Sequence, residues 1–143
     1  MFIGEYQHTI DEKGRVAVPA KFRREISSGA IVTRGLDKCL FVFTKKDWET
    51  LAKKLVTLPL AQANSRAFVR LMLSGASEAK LDSQGRILIP DYLRKFAGLK
   101  KSVKVIGVHN RAEVWDGEVW DDYKKKTETA SDEIAEKMAD LGI

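Results

Sequence analysis

Two short segments hold the residues whose types and spacing can do chemistry: Asp11-Glu12-Lys13-Gly14-Arg15 and Asp82-Ser83-Gln84-Gly85-Arg86. Both read Asp-x-x-Gly-Arg and continue into an apolar run closed by proline, Val16-Ala17-Val18-Pro19 and Ile87-Leu88-Ile89-Pro90. The chemistry this pattern supports is recognition. Gly14 and Gly85 supply the positive φ of a tight turn, and the Asp11 and Asp82 carboxylates can accept hydrogen bonds from the turn's N–H groups. Arg15 and Arg86 then sit at the rim. There a guanidinium can bind guanine O6 and N7 with two hydrogen bonds, or grip a phosphate. Lys13, Arg23 and Arg24 near the first turn, and Arg94 and Lys95 near the second, are suited to phosphate contacts that set register without reading sequence. A purely structural Asp–Arg lock on each turn is the other reading, and the two roles can coexist.

The remaining chemical residues point away from catalysis. His8 and His109 are far apart in the chain, and no Gly-x-Ser-x-Gly elbow, phosphate-cradling glycine loop or Cys-x-x-Cys spacing is present. Cys39 is the sole cysteine, which precludes an internal disulfide and reads as a small packing residue. The sequence therefore predicts no enzyme, no metal and no cofactor. Trp48, Trp115 and Trp120 occupy apolar positions suited to core packing rather than base stacking.

The elements that position the two turns repeat with them. Glu5 to Ile10 and Arg15 to Val18 read as strands joined in a hairpin by the first turn. Pro19 then fits the opening of a short helix through Phe22 and Ile26, and Pro90 repeats the arrangement around Tyr92 to Ala97. Second strand pairs follow, Ala30–Thr33 with Leu40–Phe43 and Val103–Val108 with Glu113–Trp115. Thr44 and Asp47 open a helix carrying Trp48, Leu51, Leu55 and Val56, and Asp116 caps its counterpart. A helix through Arg66 to Met72 links the copies. The predicted class is α+β, a tandem duplication of one small β-hairpin and helix unit with pseudo-twofold symmetry. The first unit is expected at residues 1–60, a linking helix at 61–76, the second unit at 77–127 and an acidic tail at 128–143. In that tail Ser131 is expected to cap a helix with Ile134, Met138 and Leu141 on one stripe, which either docks on a neighbour or remains mobile.

Composition is consistent with this. With 143 residues and 44% hydrophobic content, the chain suffices for one compact domain or two small lobes sharing a core. The net charge of +5 conceals a strong asymmetry. Residues 1–112 carry 21 basic and 10 acidic side chains, while residues 113–143 carry 4 and 10. A basic body with an acidic tail suits a nucleic-acid binder. No apolar run is long enough to span a bilayer, so a membrane partner is not expected and the cytoplasm is the expected location.

Taken with the opening Met1-Phe2-Ile3-Gly4-Glu5-Tyr6, the central Arg66-Ala67-Phe68 and Ser74-Gly75-Ala76, and Val105-Ile106-Gly107-Val108, the two Asp-x-x-x-Arg turns make the whole chain resemble the MraZ family. That family lies in the AbrB-like superfamily of swapped-hairpin transcription factors, in which two units interlace. The resemblance implies a nucleoid-associated regulator, chiefly a repressor of its own division and cell-wall operon. It implies ring-shaped homo-oligomers bound to short G-rich direct repeats of double-stranded DNA, with Asp11, Arg15, Asp82 and Arg86 as the contacting motifs. Gln84 in place of Lys13 makes the second turn the less basic one. A ring-forming interaction scaffold with incidental nucleic-acid binding is the alternative function, and an RNA-binding regulator is a third.

Overall fold

The computed structural model describes residues 1–143. Strand β1 (Phe2–Thr9) leads through the first Asp-Gly-Arg turn to β2 (Arg15–Ala17) and a single-turn helix α1 (Ala20–Arg23). Strands β3 (Ala30–Arg34) and β4 (Leu40–Thr44) pair antiparallel, followed by helices α2 (Lys45–Leu55) and α3 (Ala63–Ser74). The second copy repeats the order as β5 (Ser77–Ala79), β6 (Arg86–Leu88), α4 (Asp91–Ala97), β7 (Ser102–His109), β8 (Ala112–Asp116) and α5 (Gly117–Thr129). Helix α6 (Ser131–Met138) and a 3-10 turn (Ala139–Leu141) finish the chain.

The expected hairpins do not form. β1 pairs along its whole length with β7, and its contact with the strand beyond the turn is reduced to an isolated bridge between Ile10 and Val16. β2 instead pairs antiparallel with β6, its counterpart from the other copy, with Arg15 opposite Leu88 and Ala17 opposite Arg86. Two strands of three residues cannot stand alone in water, and each finds its only full partner in the duplicate. The main sheet has the order β1-β7-β8-β4-β3-β5, which reads as β1-β7-β8 followed by its pseudo-symmetric equivalent β4-β3-β5. Each half of that sheet mixes strands from both copies.

Side chains alternate across the main sheet as the period-2 pattern of its strands requires. Val32, Leu40, Val42, Val103, Val105 and Val114 point to one face, where they pack with Val16, Ile87, Phe22 and Leu93 beneath the β2–β6 ribbon. Phe41, Phe43, Ile106 and Trp115 point to the other face and pack with Leu55 and Met72 from α2 and α3. Glu113 is buried on that helical face, satisfied by Arg111 at 2.9 Å and by the Trp115 indole N–H at 3.0 Å. Thr44 caps α2 by accepting the Asp47 N–H at 3.0 Å, and the Asp116 carboxylate accepts from Val119 N–H at 3.4 Å at the start of α5. Ser131 makes no such cap. It is the first residue of α6, which follows Ala130 without a side-chain hydrogen bond. The helix expected only to link the copies is also packed, since the Thr33 hydroxyl donates to the Met72 carbonyl of α3 at 2.6 Å.

Candidate nucleic-acid interface

Each Asp-x-x-Gly-Arg segment closes on itself through the same five hydrogen bonds. In the first turn, Asp11 N–H donates to the Arg15 carbonyl at 3.1 Å and Gly14 N–H to the Asp11 carbonyl at 3.0 Å. The Asp11 Oδ1 accepts from the backbone N–H of Lys13 at 3.0 Å and of Arg15 at 2.9 Å, while Oδ2 accepts from Arg15 Nε at 2.7 Å. The second turn repeats the set, with Asp82 receiving Gln84 N–H at 2.8 Å, Arg86 N–H at 2.9 Å and Arg86 Nε at 2.9 Å. The Arg15 and Arg86 N–H groups, followed by the guanidinium bonds, hold the Asp11 and Asp82 carboxyls below their usual range. Both stay ionised and both turns stay locked at any physiological pH.

The turns are also stitched to each other. Val18 N–H donates to the Gly85 carbonyl at 2.9 Å, and Ile89 N–H to the Gly14 carbonyl at 2.8 Å. Gly14 and Gly85 adopt φ of +88° and +75°, as the turn chemistry requires. They have a second reason to be glycine. A β-carbon on Gly14 would lie 2.8 Å from the Arg94 guanidinium carbon, and one on Gly85 only 2.5 Å from that of Arg23. Each copy thus lays an arginine from its short helix over the turn glycine of the other copy. Arg23 is anchored there by donating Nε–H to the Val18 carbonyl at 2.9 Å. This cross-bracing was not legible in the sequence. The only signal was that Arg23 and Arg94 recur in register with the glycines.

Because β2 and β6 alternate, Val16 and Ile87 turn into the core and Arg15, Ala17, Arg86 and Leu88 turn outward. The two locked arginines therefore share one face of one ribbon. Locking Nε to aspartate directs the two Nη groups outward, and those of Arg15 have no partner within the chain. Arg86 differs, since its Nη1 also lies 3.7 Å from Asp11 Oδ2 and its guanidinium serves two carboxylates. The Arg15 side chain is 35% exposed and that of Arg86 25%. Lys13 and Arg24 are exposed. Lys95 is exposed but paired with Asp91 at 3.0 Å, and Arg94 lies 3.7 Å from the same carboxylate. The first turn consequently carries the freer cations. Lys13, Arg15 and Arg24 are available to a polyanion. Arg23 is exposed with only its Nε bonded and so can brace a turn and still present its Nη groups, whereas Arg94 is partly enclosed and shares Asp91.

No group of histidine, cysteine and carboxylate side chains is arranged to hold a metal ion. His8 lies near Arg23, and burial followed by that positive charge lowers its pKa. Cys39 is fully buried, and burial first, then the Glu113 charge, raises its thiol far above the usual range. The Cys39 thiol is therefore not poised as a nucleophile. No helix is long and apolar enough to cross a membrane.

Comparison with known proteins gives the same duplication. The family model described as "MraZ protein, putative antitoxin-like" matches twice, over residues 1–71 and 72–142. Among curated proteins, the "Transcriptional regulator MraZ" of Alkaliphilus oremlandii is 52% identical over 143 residues, covering all of both chains. That of Acetivibrio thermocellus is 50% identical over 143 residues, again covering all of both. That of Carboxydothermus hydrogenoformans is 50% identical over 141 residues, or 99% of each. These relatives are named for regulating transcription and not for catalysis. With the family model matched in both copies and full-length relatives at this identity, the chain belongs to the MraZ family.

Proposed function

We propose that this protein is a sequence-specific, double-stranded-DNA-binding transcriptional regulator that reads its operator with the outward face of the β2–β6 ribbon. The observation that carries the reading is the pair of locked guanidiniums, Arg15 and Arg86, on one solvent-facing ribbon within a body of 21 basic against 10 acidic side chains. A two-stranded ribbon is narrow enough to enter the major groove. Fixing the arginine stems before binding reduces the entropy lost on contact. Arg15, with unpartnered Nη groups, is assigned to guanine, and Arg86 contributes less because Asp11 and Asp82 both compete for it. Leu88, exposed beside Arg15, offers an apolar surface to a thymine methyl group. Lys13, Arg24 and Lys95 anchor phosphates. The operator is assigned as short G-rich direct repeats upstream of the protein's own operon, which it chiefly represses. A ring-shaped homo-oligomer would present one ribbon per subunit to successive turns of the duplex.

Fluorescence anisotropy tests this, using wild type and Arg15→Ala against the duplex upstream of the gene and a scrambled control, each at two salt concentrations. Arg15→Ala is expected to lose about 1–3 kcal/mol for one bidentate base contact, or roughly 5- to 150-fold in operator affinity. Affinity should fall steeply with salt for both duplexes. Equal wild-type affinity for operator and scrambled DNA would refute specific readout and favour an interaction scaffold with incidental nucleic-acid binding.

A further inference from the structure

The α2–α3 connection leaves an apolar surface uncovered. Val56, Leu58 and Leu60 are exposed, Leu60 at 82%, and with Val69 of α3 they line a groove of about 320 Å³. Its rim is basic. Arg66 and Arg70 line it, and Lys53 and Lys54 stand at the adjoining end of α2. Arg66 donates Nη1–H to the Leu60 carbonyl at 3.1 Å, which holds its guanidinium at the lip of the groove.

The complementary surface is at the other end of the chain. α6 places Ile134 and Met138 on one stripe, and the 3-10 turn continues it with Leu141, 72% exposed. Glu133, Glu136 and Asp140 flank that stripe. Every residue of this segment is exposed within its own chain. A helix of eight residues is too short to be stable in water without packing, since isolated helices are marginal below about 12–15 residues. The stripe and groove therefore match in both respects, apolar centre to apolar centre and acidic flank to basic rim.

We propose that α6 and the 3-10 turn of one protein chain dock in the α2–α3 groove of a second copy. The stripe and the groove do not meet within one chain, and the match of apolar centre and opposite flanking charge assigns the occupant to a second copy. The contact is heterologous, tail to groove. Unlike a twofold contact, it leaves each copy with one free tail and one free groove, so it propagates until a ring closes. This rests on the homo-oligomer reading given above and names the surfaces that build it.

The test is the mass in solution, by light scattering after gel filtration, of wild type and a variant lacking residues 131–143. Wild type is expected to elute as a multiple of its 16.1 kDa chain mass and the truncation to fall to the mass of one truncated chain, below 16.1 kDa. A charge swap keeps the tail in place. Arg66→Glu with Arg70→Glu should dissociate the oligomer, and adding Glu133→Arg with Glu136→Arg should restore it. Mixing a Leu60→Cys protein with a Met138→Cys protein should yield a disulfide-linked heterodimer under mild oxidation, because native Cys39 is fully buried. An oligomer that survives both the truncation and the groove reversal would overturn this inference while leaving self-association intact. A monomeric wild type would overturn the homo-oligomer reading and this inference with it.

Discussion

Alanine at Gly14 places a β-carbon 2.7 Å from the Ile89 carbonyl oxygen and 2.8 Å from the Arg94 guanidinium, on a backbone with φ of +88°. Three glycines make a graded series from which the cost of the cross-copy brace can be read. Gly98 is the reference, with φ of +59° and nothing within 4 Å of an added β-carbon. Gly98→Ala should carry only the left-handed strain of an L-residue, about 1 kcal/mol. At Gly85 the same strain is joined by collision with Arg23, a side chain able to move. Moving it sacrifices the bond to the Val18 carbonyl, about 1 kcal/mol more. At Gly14 the obstacle includes backbone. Shifting Ile89 breaks its 2.8 Å hydrogen bond to the Gly14 carbonyl and displaces Arg94 as well, bringing the total to about 3 kcal/mol. At about 3 °C per kcal/mol for a chain of this size, the melting temperatures should fall by about 3, 6 and 9 °C for Gly98→Ala, Gly85→Ala and Gly14→Ala. Thermal unfolding followed by circular dichroism measures all three. If Gly14→Ala and Gly85→Ala melt no lower than Gly98→Ala, the arginines do not brace the opposite turns and the account of Arg23 and Arg94 is wrong.

Other expectations rest on single side chains. Cys39 should resist iodoacetamide in the native protein at pH 8 and react stoichiometrically once the chain is unfolded in guanidinium; fast native labelling would contradict its burial. His8 ties stability to pH, because its folded pKa lies below the ordinary 6.5. Between those values the unfolded chain holds the extra proton, so stability is complete above pH 6.5 and declines as the pH falls toward the folded value. His8→Gln should flatten that part of a melting-temperature profile, and an unchanged slope would remove His8 as its cause.

Much of the site was legible in the residues. The Asp-x-x-Gly-Arg spacing specified the turn, the positive φ at Gly14 and Gly85, the carboxylate that accepts the turn N–H groups, and the rim position of Arg15 and Arg86. These are interactions within five consecutive residues, and local chemistry suffices for them. The β3–β4 and β7–β8 pairs were legible for the same reason, being joined by short loops between apolar runs.

Pairing across the duplication was decided only in three dimensions. Alternation in Arg15-Val16-Ala17 and Arg86-Ile87-Leu88 determines which side chain is buried and which exposed. It does not specify which edge the strand joins, because the ladder is made by backbone groups common to all residues. The local reading joined β2 to β1 in a hairpin, whereas the fold joins it to β6. That one choice brings Arg15 and Arg86 onto a single face, sets Arg86 within 3.7 Å of Asp11, and carries Arg23 and Arg94 onto glycines of the opposite copy. The sequence by itself determined the two Asp-x-x-Gly-Arg turns. The tertiary structure made them one surface, because two short ribbon strands can satisfy their backbone hydrogen bonds and cover their shared core only by pairing with each other.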